Sequence, residues 1–192
     1  MVRKREARPV LEGITDAEGH QVLRALLSRH PGLSAEAEAV ATALAADVSR
    51  DRVVAQVVDA IESVGLDDLA ARAGRQAHGY VEPSEAAWEI LEETVEPATA
   101  EIARLLSFGL EGPARAQCEG VLLGLYAAGV EDGGHELIAY APDFPAEAAA
   151  QALDAWLRAP GGPRIFDEEL LEELLEWAEL VQRVEKRAKG RG

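Results

Sequence analysis

The stretch SRDRVVAQVVDAIESVG, residues 49–65, decides the fold. Five valines over so short a span suit a β-strand by propensity alone. Their spacing does not. Val53, Val54, Val57, Val58, Ile61 and Val64 recur with the 3.6-residue period of one helix face, whereas a half-buried strand alternates every second residue. Ser49 stands where a helix is capped and Gly65 where one stops. With this segment read as a helix, no convincing strand is left in the chain.

Working toward the N-terminus, Ser34 opens an alanine-rich helix to about Asp47 in which Val40 and Leu44 are expected to point inward. Before it, Thr15 and Glu18 form a capping-box pattern, Val22, Leu23, Leu26 and Leu27 make one apolar face, and His30-Pro31-Gly32 stops the run. Toward the C-terminus, a turn at Asp67–Ala73 leads into the loop Gly74–Glu82. Pro83 suits the first turn of a helix carrying Trp88, Leu91 and Val95. Pro97 is expected to break or kink that helix before it resumes with Ile102, Leu105 and Leu106. Pro113–Gly129 is apolar on most sides, with Gly120 and Gly124 four apart, and reads as a central buried helix that a neighbour can approach closely. A further helix starts at Asp143-Phe144-Pro145 and carries Leu153, Trp156 and Leu157.

The expectation is therefore all-α: a single compact bundle of about seven or eight helices, ending in a long amphipathic helix. Residues 1–13 read as a basic, flexible arm, 14–188 as one domain and 189–192 as a basic tail. The final helix occupies about 167–188, after a Pro/Gly linker at 159–163. Pro83-Ser84-Glu85-Ala86-Ala87, Pro145-Ala146-Glu147-Ala148-Ala149 and Ser34-Ala35-Glu36-Ala37 begin their helices alike. Their starts lie 49 and 62 residues apart, so irregular stacking of helical hairpins is the alternative and a regular repeat is not expected.

Charge excludes more than it assigns. Between Pro9 and Gln182 the chain has 33 acidic residues and 10 arginines, a balance of −23, flanked by basic ends of +3 and +4 for −16 overall. So negative a surface repels phosphate backbones and anionic lipid, so neither nucleic acid nor membrane is expected as a partner. A chain of 192 residues with 48% apolar content can bury a core without disulfides or metals as staples. The one cysteine, Cys118, excludes an internal disulfide and a cysteine-based zinc site. No signal-like run follows the basic start, and the most apolar stretch, Gly120–Val130, is far shorter than the ~20 residues that cross a bilayer. A cytoplasmic protein is expected.

Three places are candidate sites. Arg72, Arg75, His78 and Tyr80 gather positive charge on a glycine-flanked loop, where guanidinium forks can hold a carboxylate or phosphate and Trp88 or Tyr126 can supply an apolar wall. The bland alternative pairs those arginines with acidic helices and buries Tyr80. Glu119 lies on the apolar helix with Arg115 one turn earlier, which makes either a structural ion pair or a carboxylate with acid/base character. In the final helix Leu170, Leu174, Trp177, Val181, Val184 and Ala188 alternate four and three apart. Leu171, Leu175 and Ala178 widen that stripe, so it packs on the domain's own core or forms a dimer seam, with Glu172, Glu173, Glu176 and Glu179 on the opposite face. The spacings Asp16–His20 and Glu131/Asp132–His135 are poor metal motifs, and no metal or cofactor is expected.

No nucleophile elbow, P-loop, dinucleotide fingerprint or His-Glu-x-x-His motif occurs. The sequence thus points to a non-catalytic acidic scaffold or interaction protein that binds a basic partner or itself as a homodimer. The alternative is an anionic-ligand protein or enzyme with its pocket under the 72–80 loop.

Overall fold

Gly120 and Gly124 meet the helix that contains the decisive valines. A Cβ built on Gly120 would lie 2.5 Å from Val53 Cβ and 2.8 Å from the Arg50 carbonyl oxygen, and one on Gly124 would lie 2.7 Å from Val57 Cβ. Two backbones approach at that distance only where one of them carries no side chain. This contact joins helices α3 (Arg50–Glu62) and α6 (Glu111–Val130), and α6 also packs against α5 (Pro83–Ser107) and α7 (Phe144–Arg158). The central position expected for α6 follows from its composition: Ala114, Cys118, Val121, Leu122 and Leu125 are all buried.

The computed structural model describes residues 9–76, 79–130, 135–158, 168–174 and 177–189. Among the described residues the fold is an all-α multi-helix bundle with one tiny sheet. The chain groups into two compact units, Met1–Leu44 and Ala45–Gly192. The first holds a short 3-10 turn at Val10–Glu12, α1 (Asp16–Arg29), a second 3-10 turn at Pro31–Leu33 and most of α2 (Ser34–Ala46). The predicted capping box of α1 is present, with the Glu18 amide donating to Thr15 Oγ1 and the Thr15 amide to Glu18 Oε2. Val40 and Leu44 do not point inward. Leu44 is 73% exposed, and no residue of α1 or α2 is buried. Alanine-rich α2 is apolar on nearly every side, so its composition specifies no inward face.

The second unit holds the core. In α3 Val53, Val57 and Ile61 are buried while Val54, Val58 and Val64 are half-buried, as the helical period predicts. Ser49 takes the N-cap position, though its hydroxyl makes no cap bond. Short α4 (Leu66–Arg72) leads to the feature that sequence reading did not foresee, a hairpin of β1 (Gly74–Gln76) and β2 (Gly79–Val81). Gly74 pairs with Val81, Arg75 with Tyr80 and Gln76 with Gly79. Gly74 and Gly79 have φ of 88° and 146°, a region closed to most side chains. Three-residue strands carry too little periodicity to show in a sequence.

Pro97 does not break its helix: α5 runs unbroken through it for 25 residues. Tertiary packing outweighs the lost hydrogen bond, since Ile90, Leu91, Val95, Ile102 and Leu105 on both sides of the proline are buried. One residue beyond the proline, the Ala98 carbonyl accepts from Gln117 Nε2 at 2.9 Å, which ties α5 to α6 through a buried polar side chain. The final helix expected over about 167–188 is described as α8 (Glu168–Glu173) and α9 (Ala178–Lys189), with a turn at Leu174 and a 3-10 residue at Trp177. The linker at 159–163 and residue 167, where the final helix is expected to begin, lie outside the described residues.

Gly120→Ala and Gly124→Ala should each lower stability in chemical denaturation, because the overpacking cost of about 1–3 kcal/mol exceeds the roughly 1 kcal/mol of helix propensity that alanine adds. Gly112→Ala, in the same helix with no atom within 4 Å of its added Cβ, should leave stability unchanged or raise it.

Candidate functional site

Helix α4 and the hairpin form one wall of an open groove of about 660 Å³ whose opposite wall is the first half of α5. Two bonds fix the start of α4. The Gly65 amide donates to Asp68 Oδ2 at 2.9 Å, and the Leu66 amide donates to Glu136 Oε1 at 3.1 Å, from a turn segment seventy residues away. The groove floor is apolar, from Val64, Val81 and Ile90, and its charged lining is Asp68, Arg72, Glu89 and Glu93.

Arg72 is engaged. Its Nη1 and Nη2 donate to the two carboxylate oxygens of Glu93 at 2.9 and 2.8 Å, and Glu89 lies 3.7 Å away. The hydrogen bond from Arg72, with its charge adding to the effect, holds the Glu93 carboxyl below the usual glutamate range. The same bond, helped by the charges of Glu93, Glu89 and Asp68, raises the Arg72 guanidinium against a smaller opposing effect of burial. Arg75 and Tyr80 face one another across the hairpin and are exposed, Tyr80 to 65%, so Tyr80 does not plug the core. His78 lies outside the described residues. Neither aromatic expected as a wall lines this groove. Trp88 sits edge-on to Phe144 at 5.2 Å beside a crevice of about 60 Å³, and Tyr126 sits edge-on to Trp177 at 5.2 Å.

The structure therefore joins Arg72 to carboxylates rather than to a convergent set of cations. Asp68, Glu89 and Glu93 were not singled out by sequence reading, because in a chain with so many acidic residues nothing local distinguishes them.

Glu119 is paired. Arg115 Nε donates to its Oε1 at 2.6 Å across one helical turn, with Glu119 only partly exposed at the surface of α6. Arg50 lies nearby and bonds Glu173 at 2.9 Å, which ties α3 to α8. Burial opposes the charge on Arg50, but Glu173, Asp51 and Glu119 together outweigh it and raise the guanidinium above its ordinary value. The geometry is that of a structural ion network bordering a second, mostly apolar groove of about 480 Å³ formed by Val54, Leu123, Tyr126 and Ala127. Cys118 beside it is fully buried. Burial first, and the charge of Glu119 second, push its thiol far above the ordinary cysteine range, where it is neither nucleophile nor ligand.

The heptad stripe at the C-terminus is spent internally. Leu170, Leu174, Trp177, Val181 and Val184 are all buried in the same core, with α9 against α7, while Glu172, Glu173 and Glu179 face outward. A dimer seam made of these residues would require α9 to leave its own core. Asp16 and His20 are exposed on α1, His135 Nδ1 accepts from the Leu137 amide at 3.3 Å, and Glu131 and Asp132 lie outside the described residues. Among the described residues, no three His, Cys, Asp or Glu side chains gather as a metal site, and no helix is long and apolar enough to cross a membrane. No protein-family model matches this chain, and comparison with curated proteins and with solved structures finds no similar one.

Carbon-detected NMR titration should find the Glu93 carboxyl titrating below the ordinary glutamate value of 4.5, and Arg72→Ala should return it toward that value. Because the folded value is the lower one, the pair's contribution to stability is complete above the unfolded value and fades as pH falls through the folded one. Cys118 should resist a thiol reagent such as DTNB in the native protein and react only at the rate of unfolding, since the reactive thiolate is both suppressed and inaccessible.

Proposed function

We propose that this is a non-catalytic interaction protein whose Ala45–Gly192 unit presents acidic helix faces to a cationic protein partner. The groove beneath the hairpin carries this reading. Its arginine is already held by Glu93 and Glu89, so an arriving guanidinium or ammonium meets spare carboxylate oxygens, while an anion meets like charge. The groups with chemical potential elsewhere support the same reading. Cys118 is sealed in the core and Glu119 is bonded to Arg115, so neither stands free to act on a substrate. A cytoplasmic setting belongs with it, because a lone buried thiol and no disulfide suit a reducing compartment.

One observation favours a second reading, of an anionic small ligand. Arg75 and Tyr80 are exposed side by side on the hairpin, a cation and a phenol that can share a carboxylate or phosphate. Calorimetric titration with an arginine-rich helical peptide separates the two. Binding should weaken by about tenfold or more between roughly 50 and 300 mM salt, and the pair Asp68→Lys with Glu89→Lys should weaken it far more than Glu172→Lys on α8. Equal losses from both reversals would mean diffuse attraction and would sink the groove as a docking place. A carboxylate or phosphate metabolite that raises the melting temperature of the native protein, but not of Arg75→Ala, would move the second reading ahead of the first.

A further inference from the structure

No residue of α1 or α2 is fully buried. Leu23 and Leu26 lie on one stripe of α1 with Val22 and Leu27, and are 47% and 45% exposed. Within the Met1–Leu44 unit the 3-10 turn at Pro31–Leu33 packs against α1, and Ile14 lies beside Gly19. A 14-residue helix is marginal in water, and what stabilises such helices in proteins is cover over the apolar stripe.

Charge says what the cover is. Residues 1–44 contain six acidic and six basic residues, so this unit is neutral and the whole −16 resides in Ala45–Gly192. Two copies of the chain repel one another through their second units but meet without net repulsion through their first. Helix α1 is moreover polarised, with Asp16 and Glu18 in its first turn and Arg29 in its last. Set antiparallel on a copy of itself, it brings the acidic turn of each helix beside the arginine of the other.

We propose that this chain forms a two-fold homodimer in which α1 packs antiparallel on α1 of a second copy, centred near Val22 and Leu23. Such a dimer is made through the Met1–Leu44 unit and is independent of what the acidic unit binds.

Sedimentation equilibrium of the full chain over about 1 to 100 µM tests this. The expected result is twice the chain mass, with Leu23→Glu plus Leu26→Glu giving a monomer whose main thermal transition is retained. Arg29→Glu leaves the apolar stripe intact but sets like charges opposite each other, so it should weaken the dimer by roughly fivefold, and less so at high salt. A native chain that stays monomeric throughout overturns the proposal, and the stripe is then covered by the rest of the chain or by another protein. A dimer that survives the paired leucine change uses another face and overturns it equally. A dimer lost in the leucine pair but indifferent to Arg29→Glu rules out the antiparallel arrangement.

Discussion

Everything in the Ala45–Gly192 unit depends on how closely α3 and α6 approach. With Gly120 and Gly124 set against Val53, Val57 and the carbonyls of Arg50 and Val54, the two helices meet backbone to side-chain base. Packing so dense leaves the surrounding elements little choice. With one side of α6 occupied by α3, α5 and α7 take the others, and the apolar stripe of α9 settles on α7. The single buried polar side chain among the described residues, Gln117, finds its acceptor in the Ala98 carbonyl. A buried amide is tolerated only when so satisfied, and here it also fastens α5 just beyond its proline.

Electrostatics follow from that packing. The arginines of the interior are few, and the fold spends them where helices need to be held: Arg72 joins α4 to α5, Arg50 joins α3 to α8 and Arg115 secures Glu119 along α6. Exposed pairs of this kind contribute little stability each. Their larger effect is on the surface that remains. With these cations neutralised locally, the outward faces of α5 and α8 are left acidic, which is what the proposal of a cationic partner rests on.

The candidate site was legible only in part. Arg72 and Arg75 stand out in a sequence poor in positive charge, and the groove described above is lined by the first of them. The partners of Arg72 were not legible, because Glu89 and Glu93 look like any other glutamate on a helix until α4 is folded against α5. Glu136 illustrates the same limit: nothing in the local sequence says that its carboxylate caps a helix seventy residues earlier. The heptad of Leu170–Val184 carried the opposite ambiguity, since an apolar stripe looks the same whether a core or a partner covers it.

The sequence by itself determined the helical class, the capping box at Thr15 and Glu18, the inward face of α3 and the central place of α6. Each rests on interactions between residues within a few positions of one another or on the period of apolar side chains, and both are written along the chain. Only the tertiary structure decided that α5 survives Pro97, that the hairpin forms at 74–81, that Arg72 is already partnered and that no residue of α1 or α2 is buried. Those outcomes depend on which surfaces meet across long sequence separations, where burial and pairing outweigh local preference.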